Sequence, residues 1–220
     1  MLQHVPAPIG RALSHVRAGQ AALAVNRPAF ADLPALIKVS SPEFGPDASL
    51  SARHTADGEG RSPSLSWRAD MPAVSVVLIV EDADSPSRQP IVHAIAWKLP
   101  PAGSLDPSDL HRHGPIAVGT NTYGRLGWLP PDPPTGHGPH AYVFQLFALD
   151  QELHFPEPPG RTALIEAMQG HVVATGRLTG TYERPVSSGG WLPLLAGAGA
   201  IALTLAVMAR QRSRTTGEHA

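Results

Sequence analysis

From about residue 35 the chain sets short apolar runs between turn residues, a pattern that predicts a β-dominated domain. Val74-Ser-Val-Val-Leu-Ile-Val80 is β-branched with little polar alternation, so it predicts a central strand buried on both faces. Ile91 to Leu99 predicts a second strand, on which the two-residue period puts Ile91, His93, Ile95, Trp97 and Leu99 on one face. His140 to Leu149 predicts a third, with His140, Tyr142, Phe144 and Leu146 on one side. One histidine therefore sits on a largely apolar strand face, and another opens a strand.

Between these strands, Pro100 to Arg112 reads as a loop, and the glycine-, proline- and asparagine-rich stretch from Gly119 to Gly138 reads as a functional loop. Thr162 to Gln169, with good helix formers and Gly170 as a stop, predicts a short helix. His171 to Val173 and Leu178 to Tyr182 predict closing strand material. Ile9, Ala12, Leu13 and Val16 fall at helical spacing, so residues 1–34 read as an N-terminal extension with a short amphipathic helix. Packing against the domain is the plainer role for that helix, and contact of its basic residues with lipid head groups is the alternative.

Trp191 to Ala209 holds 19 residues without a charge, close to the roughly 20 needed to cross a bilayer core, and predicts a C-terminal transmembrane helix. Trp191 fits an interfacial belt, and Arg210, Arg212 and Arg214 head a basic tail of residues 210–220. The competing reading is a buried alanine-rich core helix. Residues 185–190 read as a polar, glycine-rich linker between a domain of residues 35–184 and this helix. The expected placement is therefore a single-pass membrane protein. The arginines favour an external domain and the missing secretory signal a cytoplasmic one, with the balance slightly to the cytoplasm.

Composition narrows the function. Proline (24) and glycine (21) together form about a fifth of the 220 residues, which disfavours long helices. Seventeen basic and eighteen acidic residues give a net charge of −1, so no nucleic-acid partner is expected. Zero cysteines exclude disulfides, thiolate metal sites and cysteine nucleophiles. Neither Gly-x-Ser-x-Gly nor His-Glu-x-x-His occurs, so neither catalysis nor a cofactor or metal is implied.

Asp82 and Asp84 follow the buried strand where the chain leaves the sheet, and Pro86 stiffens the turn. By spacing alone the plainer reading is two solvated turn aspartates, and for His93 a satisfied core histidine. The functional reading depends on these residues coming together. Two imidazoles converging on one point could each donate an N–H to an anion, Tyr142 could add a hydroxyl, and Asp82 would orient a ring and favour its protonated form. Because the carboxylate repels a dianion, a monoanionic phosphate ester or a carboxylate is the expected guest.

These segments resemble one known family. Asp82-Ala-Asp-Ser-Pro86 is similar to the Asp-Pro-Asp-Ala-Pro signature of the phosphatidylethanolamine-binding proteins, and Ile91-Val-His93 to the histidine strand that follows it. Gly136-His-Gly-Pro-His140-Ala-Tyr-Val-Phe144 resembles the family's Gly-x-x-His-Arg-Tyr-x-Phe segment. Ser62 to Trp67, Asn121 to Gly124, Gly127-Trp128, Pro130 to Pro134, Gly170 to Ala174 and Leu178 to Tyr182 agree in order, so the resemblance covers roughly residues 35–184, nearest the bacterial Raf-kinase-inhibitor-like branch.

The resemblance implies a Greek-key β-sandwich of two antiparallel sheets with a few peripheral helices. It implies a pocket for phosphate-like anions, phospholipid head groups among them, with Asp82, Pro86, His93, His140 and Tyr142 as ligand-binding residues and Asp84 behind them. It also implies a cis peptide near the aspartates, for which Ser85-Pro86 is the candidate. Regulation through a protein partner, as in kinase-modulating members, is the alternative function, and a hydrolase or metal enzyme on the same cluster is a weaker one. Two departures stand out. Ala141 replaces the arginine after the second histidine, and Pro130 occupies a glycine place, so the ligand transfers less readily than the fold.

Overall fold

The computed structural model describes residues 5–111 and 116–186. In chain order the elements are α1 (Ala7–Leu13), β1 (Ile37–Ser40), β2 (Ala48–Ser49), β3 (Leu65–Ala69), β4 (Ser75–Asp82), β5 (Ile91–Leu99), β6 (Ala102–Leu105), β7 (Ala117–Val118), β8 (His140–Leu149), α2 (Arg161–Met168) and β9 (Val172–Tyr182). Short 3₁₀ turns occupy Gln20–Ala22, Ala24–Asn26 and Ala52–His54.

The strands form two sheets, a three-stranded one ordered β1-β3-β6 and a six-stranded one ordered β2-β9-β8-β4-β5-β7. The mainly β, two-sheet expectation holds with one amendment: β2 runs parallel to β9, pairing Ala48 with Gly180 and Ser49 with Thr181. All eight residues of β4 are buried, as its unbroken apolar run predicts, because it lies between β5 and β8 and both its faces are covered.

Each face of the large sheet carries its own core. On one, Leu78, Val80, Ala94, Ala96, Tyr142, Phe144 and Leu146 meet Ile37, Leu65, Trp67 and Leu105 of the small sheet. On the other, Val77, Ile79, Ile95, Trp97, Val143 and Phe147 meet Leu23, Val25 and Phe30 from the N-terminal stretch and Leu164, Ile165 and Met168 from α2. Burying each large apolar side chain contributes about 1.5–3 kcal/mol, so these paired layers supply the main drive to fold.

A polar tie fastens the second layer. Glu81 is fully buried on β4, where its carboxylate accepts from the Arg161 guanidinium of α2, from Gln145 Nε2 at 2.8 Å and from the Ala24 amide at 2.8 Å. Every oxygen of this buried charge is thus met by donors from three separate elements.

Three expectations need correction. The predicted C-terminal transmembrane helix at 191–209 lies outside the described residues. Among the described residues no helix is long and apolar enough to cross a membrane. The helices α1 and α2 have 7 and 8 residues, far short of the roughly 20 a bilayer core requires. The expected single-pass membrane placement, with its cytoplasmic domain and basic tail, therefore has no structural basis. Among the described residues no peptide bond is cis, so Ser85-Pro86 is trans.

The third correction concerns β5, whose residues do not keep one two-residue alternation. Val80 faces Ala94, but Glu81 faces Val92, so His93 is the extra residue of a bulge. A second irregularity lies between the Val76–Leu99 and Leu78–Ala96 pairs, where Lys98 takes a positive φ of 59°. The bulges split the expected face. Ile95 and Trp97 join the core under α2, whereas Leu99 joins the core between the sheets.

Candidate functional site

The end of β4, the start of β8 and the bulge of β5 meet at one end of the large sheet. Asp82 is paired in register with Tyr142 of β8 and Ile91 of β5, which brings the aspartate segment beside both histidine strands. The bulge turns His93 onto the Tyr142 side. Its ring meets Tyr142 edge-on, with centroids 5.1 Å apart at 83°, and lies 6.2 Å from the Trp128 ring. His140 stacks along Tyr142 at 6.4 Å and 22°. The fold thus brings His93, His140, Tyr142 and Asp82 together as their motifs predict, although the bulge parts His93 from Ile95 and Trp97, with which the two-residue period groups it.

Hydrogen bonding fixes the roles of the nitrogens. His93 Nδ1 lies 2.6 Å from the Leu129 carbonyl oxygen, which can only accept, so Nδ1 carries a proton. The Leu129 amide donates back to the His93 carbonyl at 2.7 Å, clasping the ring and backbone of His93 to the loop after β7. His93 Nε2 is then a bare lone pair on the neutral ring, and it is buried without a partner. Burial lowers the His93 pKa below the usual histidine value. The charges of Asp82 and Asp132 and the Leu129 carbonyl oppose that shift, and His140 adds to it.

His140 is engaged at both nitrogens. Nδ1 donates to Asp82 Oδ2 at 2.8 Å, and Nε2 lies 2.8 Å from His137 Nδ1. The second oxygen of Asp82 accepts the Asp84 amide at 2.8 Å. Asp84 in turn accepts the Ala141 amide at 2.8 Å and pairs with Arg17 at 2.8 Å, so it braces the start of β8. The expected convergence of two free imidazoles is met by His93 alone. Tyr142 is fully buried, and burial holds its hydroxyl well above its ordinary pKa, with Asp82 and Asp132 adding to the effect, so it stays a phenol. Pro86 lies half-buried in the turn after β4.

His137 belongs to the Gly136–Phe144 motif, yet nothing in that motif gives it a role. It sits between Gly136 and Gly138, whose φ values of 81° and 95° belong to glycine, and this kink folds its ring back onto His140, 4.7 Å between centroids. Burial lowers its pKa, as do His140 and Arg17. Arg17 is out of reach of any local pattern, being separated by more than 60 positions from Asp84 and more than 100 from His137. Arg184 is likewise beyond what spacing reveals. It is buried just after β9, where it bonds Asp57, Asp132 and the Pro133 carbonyl and so anchors the loop leading to His137. Among the described residues no group of three or more His, Cys, Asp or Glu could hold a metal ion.

Comparison with known proteins agrees with the fold. A family model described as Phosphatidylethanolamine-binding protein matches residues 40–183. A UPF0098 protein of Pyrococcus horikoshii is 39% identical over 155 residues, covering 67% of this chain and 77% of its own length. Among solved structures, a putative phosphatidylethanolamine-binding protein homologue from Chlamydia trachomatis matches with a TM-score of 0.62 at 35% identity, over 68% of this chain and 98% of that one. YbcL of E. coli matches with the same TM-score at 27% identity, over 69% and 100% of the two chains.

Proposed function

Because this chain belongs to the phosphatidylethanolamine-binding protein family, we propose that its domain is a binding module for a small anion, a phosphate ester or carboxylate, taken up beside His93 and His140. The observation that carries this reading is the buried, unpartnered Nε2 of His93. Burial lowers the His93 pKa, and the charges of Asp82 and Asp132 oppose that shift. Since Nδ1 is committed to the Leu129 carbonyl, His93 can hold an anion only as the imidazolium, so binding at His93 takes up one proton. Asp82 favours that cation but repels extra negative charge, which points to a monoanion.

The module is a binder rather than an enzyme on this reading: Asp82 is occupied by the His140 ring and the Asp84 amide, and no serine or free carboxylate stands against either histidine as a nucleophile among the described residues. The test is a titration of ¹⁵N-histidine-labelled protein with inorganic phosphate and with acetate at pH 6. Binding should carry the His93 Nε2 resonance from the bare to the protonated position, and His93→Gln should abolish the uptake. A His93 signal indifferent to both anions would refute the anion reading.

A further inference from the structure

Residues 6–18 lie against the loop that carries His137, whose ring abuts His140, and a role for them as a cover rests on the anion-binding reading of that site. The segment meets the 134–140 loop through glycine. Gly10 is the buried residue of α1, and a Cβ there would run into the Thr135 carbonyl oxygen; a Cβ on Gly136 would likewise meet the Ala7 carbonyl oxygen. Arg17 then reaches across. Its guanidinium pairs with Asp84 Oδ1 at 2.8 Å and donates to the carbonyls of Pro139 at 2.9 Å and His137 at 3.2 Å. The amides of Ala18 and Gly19 continue the seam to the carbonyls of Ser85 and Ala83.

Beneath the seam, the His137 ring holds Nδ1 against His140 Nε2 at 2.8 Å, while its own Nε2 is buried without a hydrogen-bond partner. The nitrogen of His140 that Asp82 leaves over is thereby occupied from within the chain. The seam contains little apolar burial. Ile9, Leu13 and Val16 are 43%, 38% and 37% exposed, so the apolar stripe of the segment faces solvent while polar contacts and two glycines make the joint. A joint of that kind opens at less cost than one anchored by buried apolar side chains.

We propose that residues 6–18 are an intramolecular cap, locked by Arg17 on Asp84, that keeps His137 seated on His140 and must lift before an anion reaches the second histidine. Arg17 also provides a cation beside Asp84 and the backbone of residue 141, where the chain has alanine. With the cap lifted, His137 leaves, and His140 Nε2, on taking up a proton of its own, can donate alongside His93.

The test uses the full chain and needs no ligand. Deuterium exchange at the C2–H of each histidine, read by mass spectrometry, should rise at least about tenfold at His137 and His140 in Arg17→Ala, the effect of losing even one of the three contacts Arg17 makes across the seam. Gly10→Ala, which wedges the segment off the loop while keeping the ion pair, should raise the same two rates. Arg17→Lys, which keeps the charge but not the fork, should fall between. Arg68→Ala, which breaks an exposed pair with Asp70 on the small sheet, should change neither rate.

Unchanged exchange at both histidines in Arg17→Ala and Gly10→Ala, with the β-sheet circular dichroism intact, overturns the cap. If either variant loses the sheet signal, Arg17→Lys decides by the same readout. Phosphate titration of these proteins separates the two readings. Tighter binding in the opened variants supports both, whereas opened histidines without phosphate binding keep the cap and refute the anion site.

Discussion

Lowering the pH should weaken the domain through His93 in particular, and an anion should reverse the loss. The ring is 3% exposed, its Nδ1 proton is committed to Leu129, and burial lowers its pKa. The unfolded chain takes a proton near the ordinary value of about 6.5, while the folded ring resists protonation to lower pH. Below about pH 6.5 the unfolded state therefore binds more protons, and stability falls as pH falls, by at most about 1.4 kcal/mol per pH unit until the folded ring also titrates. Above pH 7 both states are neutral at this site and the slope vanishes.

An anion accepting from Nε2 stabilises the folded imidazolium, raises its pKa and flattens the slope. Urea midpoints from pH 7.5 to 5.0, for wild type and His93→Gln, with and without phosphate, give the difference directly. The difference cancels His137, which is also depressed. Wild type should lose on the order of 1 kcal/mol more than the variant between pH 6.5 and 5.5 without phosphate, and less with it. Equal slopes in the two proteins would refute the depressed His93 pKa and the linkage built on it.

Two other outcomes concern buried charges. Arg161→Met leaves the fully buried Glu81 carboxylate without its cation and should cost about 3–5 kcal/mol in urea unfolding, with much of the loss recovered in the Glu81→Gln/Arg161→Met double variant; a single-variant loss below 1 kcal/mol would contradict the pairing. Arg184→Lys cannot reproduce the fork on Asp57 and Asp132 and should cost about 1–3 kcal/mol, while amide exchange speeds up in the 130–138 loop; unchanged exchange there would deny Arg184 its anchoring role.

The elements that sequence reading places well are those governed by one local period. The β4 run is buried throughout, β8 keeps His140, Tyr142, Phe144 and Leu146 on one side, and Gly170 ends the turn after α2 with φ 79°. Failures occur where contacts with distant residues override that period. Residues 171–173 and 178–182 look like two fragments because Thr175-Gly176-Arg177 interrupts the apolar pattern, yet β9 is continuous over 11 residues. Gly176 is required there because β1 crosses so closely that a Cβ would strike the Ile37 carbonyl oxygen. β6, inside an expected loop, exists through its pairing with β3, which Ala102 to Leu105 do not announce by themselves.

The site shows the same division. The identities of Asp82, His93, His140 and Tyr142 are legible because each belongs to a short motif on or beside a strand. What each nitrogen does is not, because it depends on the partner's chemistry. A main-chain carbonyl at Leu129 forces the proton onto His93 Nδ1 and leaves Nε2 bare, whereas a carboxylate at Asp82 and a second imidazole at His137 leave His140 with no free nitrogen. Two histidines that look equivalent in sequence are therefore unequal in the fold. The difference traces to one bulged residue and one Gly-His-Gly kink. Alanine at 141 fits the same logic: a cation is still held beside Asp84, but it arrives from Arg17, on a segment that can leave, so local occupancy of His140 and docking of the N-terminal stretch become one equilibrium.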